Sequence, residues 1–175
     1  YSPTAQPLAV RGEVFLTVRD GIQCSVRVSG LPELRAKGQV FVTTARMVFV
    51  AQPPTPLGNG QVFQSFDFQL ASLSNEKFNQ PIFGANNLTG RVQPIPGMGL
   101  PAPADFTLTF VRGGCGTFLH FFLTALRDVR SAPSRRALGG GGAVTAEAIR
   151  VQASAFMDPS DPTTIYVIQP AVPVS

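Results

Sequence analysis

Between residues 13 and 110 the chain alternates apolar and polar positions in short runs, the period of a half-buried β-strand. The run SFDFQL, for example, places Phe66, Phe68 and Leu70 on one face and polar side chains on the other. DFTLTF, at 105 to 110, repeats the pattern. Six or more such runs at near-regular spacing predict an antiparallel sandwich or barrel.

Turn-forming residues separate these runs and predict where the strands end. The segment 13 to 28 is predicted to form two strands around Asp20-Gly21, because this dipeptide accepts the positive φ angles of a type I′ hairpin. The segment KGQVFVTTARMVFV, 37 to 50, predicts two more strands around a polar turn at 43 to 46. The proline-rich stretch from 53 to 61 is predicted to be a loop.

After the last strand the period changes to that of a helix. From Thr117, apolar side chains recur at helical spacing and charged ones lie opposite, which predicts a helix of about three turns covering the open end of a barrel. The apolar positions are Phe118, Phe122, Leu126 and Val129. A flexible break at 137 to 142, a short helix from residue 143 and a Pro-punctuated extended tail are predicted to follow.

These patterns divide the 175 residues into one folded domain and its appendages. We predict an N-terminal arm at 1–11, the domain at 12–131, a Gly-rich linker at 132–142, and a short helix with an extended tail at 143–175. A hydrophobic content of 44% with fourteen Phe and no Trp predicts a single Phe-packed core. No apolar run reaches the roughly 18 residues that would span a bilayer.

The residues that usually carry catalysis are sparse. His120, the only histidine, lies in FLHFF and is predicted to be structural, which excludes a catalytic triad or a multi-histidine metal site. Cys24 and Cys115 have no metal-ligand spacing; they are either buried or idle thiols in a reducing compartment, the favoured alternative, or a disulfide. We therefore expect no enzymatic activity, no cofactor and no metal.

Charge adds one constraint on partners. The net charge is +4 and the sequence pI is about 9.7, but the basic residues are scattered along the chain. A nucleic-acid surface would gather them in a stripe with aromatic residues, so no nucleic-acid partner is expected.

Five ordered blocks resemble the GRAM-domain family and, within it, the WW-domain-binding group. They are GEVFLTV, KGQVFVTTARMVFV, SFDFQL, QPIFGANNLTGRV and DFTLTFVRGG, followed by the amphipathic helix, over residues 12 to 131. The resemblance implies a pleckstrin-homology-like barrel of about seven antiparallel strands in two orthogonal sheets, capped by a C-terminal helix. It also implies a cytoplasmic or nuclear adaptor or membrane-proximal binding module; an organelle stays open because the chain does not start at Met.

One family motif is missing from this chain. The WW-domain-binding group carries Pro-Pro-x-Tyr, which fits the aromatic groove of a WW domain as a polyproline II segment. Here the only Pro-Pro, at 53 and 54, is followed by Thr55 and Pro56. We therefore do not expect WW-domain binding to carry over.

Two functional hypotheses follow from the sequence. The favoured one is a protein-binding adaptor, or a structural subunit of a larger assembly, whose β-prone tail adds a strand to a partner's sheet or to its own. The tail residues are Ile165, Tyr166, Val167 and Ile168. The alternative is a peripheral membrane module that binds phosphoinositide or another anionic lipid.

The lipid hypothesis depends on basic residues that have to converge on a phosphate. The candidates are Arg35, Lys37 and Arg46, with Arg19 and Arg27 flanking the predicted Asp20-Gly21 turn. The carboxylate of Asp20 at that turn opposes phosphate binding, and this ranks protein binding first.

The segment QPIFGANN, 80 to 87, is rich in turn-formers and is predicted to be a corner where a strand passes from one sheet towards the other. Phe83 is predicted to plug the core side of this corner. Asn86 and Asn87 are predicted to bond their own backbone, although they could still face a partner.

Overall fold

The computed structural model describes residues 6–58, 60–137, 156–158 and 161–166, with side chains up to residue 132. Within these residues the chain forms a sheet of seven strands, a helix and a small two-stranded hairpin. The strands are β1 (Phe15–Val28), β2 (Leu34–Thr43), β3 (Arg46–Pro56), β4 (Val62–Gln69), β5 (Leu73–Asn79), β6 (Asn87–Val92) and β7 (Ala104–Phe110). A short 3-10 turn, Leu70–Ser72, joins β4 to β5, and helix α1 (Cys115–Ala137) follows β7. The hairpin consists of β8 (Phe156–Asp158) and β9 (Asp161–Tyr166).

The seven strands form one antiparallel sheet in the order β4-β3-β2-β1-β7-β6-β5. The predicted fold class is thereby confirmed: the chain is mainly β, with seven antiparallel strands and a C-terminal helix, as in a pleckstrin-homology-like sandwich. The long central strand β1 pairs with β2 on one side and β7 on the other. Because β1 pairs on both sides, strands β2–β4 and strands β5–β7 belong to one hydrogen-bonded sheet instead of the two sheets that were predicted. The sheet stays open between the outer strands β4 and β5, so the barrel is not closed.

The predicted hairpin at Asp20-Gly21 is wrong. Strand β1 runs straight through this dipeptide, and its pairing with β2 shifts register between Arg19 and Ile22. Gly21 has a φ of 63°, which a β-bulge can use as readily as a hairpin turn can. The residues after the bulge pair with both β2 and β7, and these two ladders keep the strand extended. The first hairpin loop lies instead at 29–33.

The predicted proline-rich loop is also shorter than expected. Strand β3 continues to Pro56, and its last two residues, Thr55 and Pro56, pair with β4 after a register shift that begins at Val50. Proline is tolerated in a strand at such an irregularity because no ladder donor is needed there. The turn itself spans only 57–61 and is closed by the Leu57 amide, which donates to the Gln61 carbonyl at 2.7 Å.

The core lies between the sheet and α1 and is built largely from phenylalanine. The rings of Phe110, Phe118 and Phe122 form a chain with centroid separations of 5.0 and 6.0 Å, which links β7 to the helix. Phe68 meets Phe106 at 4.8 Å across the sheet. The predicted helix is confirmed, but it begins at Cys115 and ends at Ala137, beyond the predicted three turns. The predicted domain boundary at 131 stays a prediction.

Helix α1 also contacts β5 through a polar residue in its C-terminal half. Arg130 extends the contact, since its Nη2 donates to the Leu73 carbonyl at 3.3 Å and its Nη1 lies 2.5 Å from the Glu76 carboxylate. No helix in the described part of the chain combines the length and apolar character that crossing a bilayer requires.

The cysteines and the histidine have structural surroundings. Both cysteines are free thiols, so the disulfide alternative is wrong. Cys24 is buried in the core, and this burial raises the pKa of its thiol to about 12. Cys115 is half-buried at the start of α1, and exposed His120 lies edge-on to Phe121 at 5.4 Å.

The predicted tail lies only partly within the described residues. Ile165 and Tyr166 belong to β9, which pairs with β8 of the same chain. Val167, Ile168 and the predicted short helix from residue 143 lie outside the described residues.

Candidate functional site

The outer face of the sheet carries polar side chains in two rows across five strands. Alternation forces this arrangement, because the intervening residues Cys24, Leu88 and Leu108 point into the core. Directly paired positions form a first row of Lys37, Gln23, Thr109, Asn87 and Asn79. They form a second row of Arg35, Ser25, Thr107, Thr89 and Lys77.

A concave part of this face, which we call the polar groove, has a volume of about 680 Å³. It lies over β1, β2 and β7, with Thr55 of β3 at its margin. Its basic side chains are Arg27, Arg35 and Lys37, and hydroxyl groups from Ser25, Thr107 and Thr109 lie among them. Such a surface provides hydrogen-bond donors and positive charge together, the combination that recognises anions.

One carboxylate, that of Glu33, is held by three donors at the margin of the polar groove. The Ser25 hydroxyl donates to Glu33 Oε1 at 2.5 Å, and Arg27 Nη2 donates to the same oxygen at 3.2 Å. Arg35 Nη2 donates to Glu33 Oε2 at 2.8 Å. The hydrogen bond from Ser25, followed by that from Arg35, lowers the pKa of Glu33 to about 2. Glu33 therefore carries its negative charge across the physiological pH range.

The structure brings three of the five predicted basic residues together and separates two. Arg27, Arg35 and Lys37 share the polar groove. Arg46 is held in the interior by Glu13 and Asp67, and only 13% of its side chain is exposed. Arg19 is 3% exposed, and its Nε donates to the Gly113 carbonyl at 3.1 Å.

Asp20 also differs from its predicted role. Its carboxylate pairs with Arg112 at 2.9 Å instead of standing at a hairpin tip. The sequence analysis missed Ser25 and Glu33, which register places beside Arg27 and Arg35. The alternation along β1 and β2 places Ser25 on the same face as Arg27, and Glu33 on the same face as Arg35. The hairpin wrongly predicted at Asp20-Gly21 prevented this pairing of β1 with β2 from being recognised.

The second exposed feature is the loop that joins β5 to β6, residues 80–86. Its Ile82 and Phe83 side chains are 93% and 91% exposed, and we call this pair the apolar tip. The prediction that Phe83 plugs the core is wrong. Strands β5 and β6 pair directly as far as Asn79 and Asn87, so the segment is a hairpin loop that extends past the last paired residues.

Asparagines fix this loop to its neighbours. Asn79 Nδ2 donates to Asn87 Oδ1 at 2.9 Å, across the last strand pair. Asn86 Nδ2 lies 3.1 Å from the Cys115 sulfur, and the Asn86 carbonyl accepts from the Phe110 amide at 2.9 Å. The side chains of Asn86 and Asn87 thus contact neighbouring elements. The prediction that they bond their own backbone is wrong. The apolar tip is consequently presented from an anchored base.

Comparison with known proteins finds relatives for part of the chain. It is 32% identical over 117 residues to the UPF0664 stress-induced protein of Schizosaccharomyces pombe, which covers 65% of this chain and 64% of that protein. It is 32% identical over 82 residues to human WW domain-binding protein 2, which covers 47% of this chain and 29% of that protein. The chain thus spans less than two thirds of the length of either relative. The expected similarity to the WW-domain-binding group is confirmed over this part.

Two further comparisons are weaker. No family model matches the chain. A chain of the 8S snRNP assembly intermediate aligns over 72% of this chain and 87% of its own length, with 9% identity and a TM-score of 0.43. This structural likeness is too low to support an argument.

Proposed function

We propose that this chain is a non-enzymatic binding module of the GRAM type, which acts as an adaptor or assembly subunit through direct protein-protein contacts. The observation that carries the proposal is the apolar tip, Ile82 and Phe83, almost fully exposed on an anchored hairpin. Similarity to a WW domain-binding protein supports a protein-binding role. Residues 1–175 contain no Pro-Pro-x-Tyr, so the contact proposed for them is not with a WW domain. Free cysteines support a reducing compartment inside the cell.

Energetics favour a partner that covers the apolar tip. Burying two side chains of this size contributes about 3–6 kcal/mol. The hydrogen bonds of Asn86 and Asn87 hold the base of the loop, so less conformational entropy is lost on binding. Two adjacent apolar anchors on a rigid support are typical of a small interface centred on a few strong contacts.

Charge distinguishes a protein partner from a membrane at this tip. Membrane-inserting tips generally combine apolar side chains with nearby basic residues that attract anionic lipid. From Gln80 to Gly90 the chain has no charged residue. A partner with an apolar pocket and an uncharged rim fits this loop better than an anionic bilayer does.

The test compares binding partners of the wild type and of a double variant, Ile82→Ser with Phe83→Ser. We expect the double variant to lose its specific partners and to keep the wild-type urea midpoint, because neither side chain contributes to the core. Leu123→Ser is the matched control, since Leu123 is 54% exposed on α1. Recovery of the same partners by the double variant would refute the proposed role of the tip.

Anionic lipid binding is a second candidate function, favoured by the convergence of Arg27, Arg35 and Lys37 on the polar groove. Each well-placed basic residue contributes about 1 kcal/mol of attraction to an anionic surface. Flotation with phosphoinositide-containing and neutral vesicles tests it. We expect charge-dependent binding that is lost when all three residues are changed to Gln. Equal flotation with both kinds of vesicle would contradict this function.

A further inference from the structure

We propose that Ser25, Arg27 and Arg35 form a binding cradle for a phosphate-bearing ligand, and that Glu33 occupies this cradle as an internal competitor that the ligand displaces. The proposal extends the second candidate function, because it identifies the anion site and a device that controls it. The ligand class is a phosphate with at least two negative charges, carried by a lipid headgroup or by a soluble molecule.

The present occupant indicates what the cradle recognises. Glu33 receives one hydroxyl donor and two guanidinium donors, at 2.5, 3.2 and 2.8 Å. Ser25, Arg27 and Arg35 lie on β1 and β2, so the sheet fixes the backbone positions from which all three donors extend. Only Glu33 belongs to the hairpin loop at 29–33. The three donors therefore come from paired strands, whereas the carboxylate comes from the loop between them.

The arginines keep donor capacity that the carboxylate does not use. Each guanidinium has five N–H donors, and one nitrogen of each contacts Glu33. The Arg27 and Arg35 side chains are 68% and 73% exposed, so the unused donors can reach a ligand in the groove. A phosphate group offers more acceptor oxygens than a carboxylate and can satisfy more of these donors.

Charge decides which anions can displace Glu33. Arg27, Arg35 and Lys37 contribute +3 to the polar groove, and Glu33 reduces this to +2. The Asp105 carboxylate, opposite Arg27 on β7, is balanced by its own pair with Arg91 at 2.7 Å. A singly charged anion would replace the one negative charge of Glu33 by another, so its binding would gain little electrostatic free energy. A phosphate monoester carries about −1.5 to −2 at pH 7 and interacts more strongly with all three cations. Lys37 lines the same groove, two residues along β2 from Arg35, and supplies the third cation.

The test uses inorganic pyrophosphate as the probe. The wild-type protein and its Glu33→Ala variant are titrated with it by calorimetry at fixed ionic strength. We expect the variant to bind pyrophosphate at least tenfold more tightly, because the competing carboxylate is gone. Adding Arg35→Gln to Glu33→Ala should abolish this gain. Asp20→Ala is the matched control: it also removes one negative charge, but Asp20 pairs with Arg112 outside the groove. We expect it to change affinity less than twofold.

Three results would overturn the proposal. They are equal pyrophosphate affinity in the wild type and Glu33→Ala, no binding by either protein, and an equal gain from Asp20→Ala, which would indicate bulk charge. A changed urea midpoint in Glu33→Ala would show that the loop supports the fold; Glu33→Gln then repeats the titration and should still bind more tightly than the wild type.

Vesicle flotation separates the two ligand sources. If Glu33→Ala gains affinity for pyrophosphate and also for phosphoinositide vesicles over neutral vesicles, the ligand is a lipid headgroup. If it gains affinity for pyrophosphate alone, the cradle stands with a soluble phosphate ligand and the lipid function fails.

Discussion

Replacement of Glu13 by Gln should destabilise the fold, because the Glu13 carboxylate is buried and accepts four hydrogen bonds. The Glu13 side chain is 2% exposed and faces Arg46, which is 13% exposed. Glu13 Oε1 accepts from Arg46 Nε at 2.9 Å and from the Thr43 hydroxyl at 2.7 Å. Its Oε2 accepts from the Val10 amide at 2.8 Å and from Arg46 Nη2 at 3.2 Å. All four contacts require an acceptor.

The magnitude follows from this arrangement. In Glu13→Gln one of the two acceptor oxygens becomes an amide donor, which points at a donor of Arg46 or of Val10. Arg46 then loses its buried counter-charge and keeps only the Asp67 carboxylate, which is 38% exposed. Because Asp67 still faces Arg46, we expect a loss near the lower end of the range of about 3–5 kcal/mol that breaking a buried pair costs. By contrast Asp105→Asn removes one partner of the exposed Arg91–Asp105 pair, in which the side chains are 44% and 57% exposed, and should cost less than about 1 kcal/mol.

The same pair sets a pH dependence. Burial raises the pKa of Glu13, but hydrogen bonds from Arg46, Val10 and Thr43 outweigh it and leave the pKa below its ordinary value. A carboxyl group whose pKa is lowered by folding stabilises the protein above its unfolded pKa, and this contribution is lost as pH falls through the folded pKa. Stability of the wild type should therefore decrease as the pH falls below 4.5, the ordinary pKa of a glutamate side chain, and Glu13→Gln should flatten that decrease.

Urea unfolding at pH 7 and at a series of lower pH values measures both effects, with Asp105→Asn as the control. A loss of less than 1 kcal/mol for Glu13→Gln, or an unchanged acid dependence, would refute the assignment of Arg46 to a buried structural pair. It would also reopen the role of Arg46 as a surface contact.

Two further predictions concern the core. Gly38→Ala should destabilise the protein by about 1–3 kcal/mol through overpacking, because a Cβ there would lie 1.9 Å from the Val50 carbonyl oxygen. The control is Gly116→Ala, which should not destabilise the protein because the space around Gly116 is open. Equal urea midpoints for the two variants would contradict the close approach of β2 and β3. An aromatic disulfide reagent should modify Cys115 quickly and Cys24 only on unfolding, since Cys24 is 1% exposed and burial raises its pKa to about 12; two fast equivalents in the native state would contradict the burial of Cys24.

The sequence predicted local structure best where one physical signal dominated. The alternation in SFDFQL and DFTLTF predicted which residues are buried, because a half-buried strand leaves no other arrangement of apolar side chains. The helix was found from Phe118, Phe122 and Leu126 for the same reason. Turn chemistry was less reliable, since Gly21 supplies a positive φ for either a bulge or a hairpin. Only pairing with β2 and β7 decides between them.

The candidate sites needed the tertiary structure. The predicted basic residues look alike in the sequence but lie in different surroundings. Arg35 and Lys37 face the polar groove. Arg19 is buried against Gly113, and Arg46 is buried against Glu13. Those partners lie 94 and 33 residues away along the chain. Phe83 was predicted to be a core residue and is exposed because no element in the described part of the chain packs over the end of its hairpin.

By itself the sequence determined the β-rich fold class, the buried faces of the strands and the helix, since these depend on local periodicity and on hydrophobic burial. Only the tertiary structure decided the continuity of β1, the exposure of Ile82 and Phe83, and the convergence of Ser25, Arg27 and Arg35 on Glu33. The physical reason is that pairing register and the presence of an opposing layer are set by contacts between distant segments, and no local pattern encodes them.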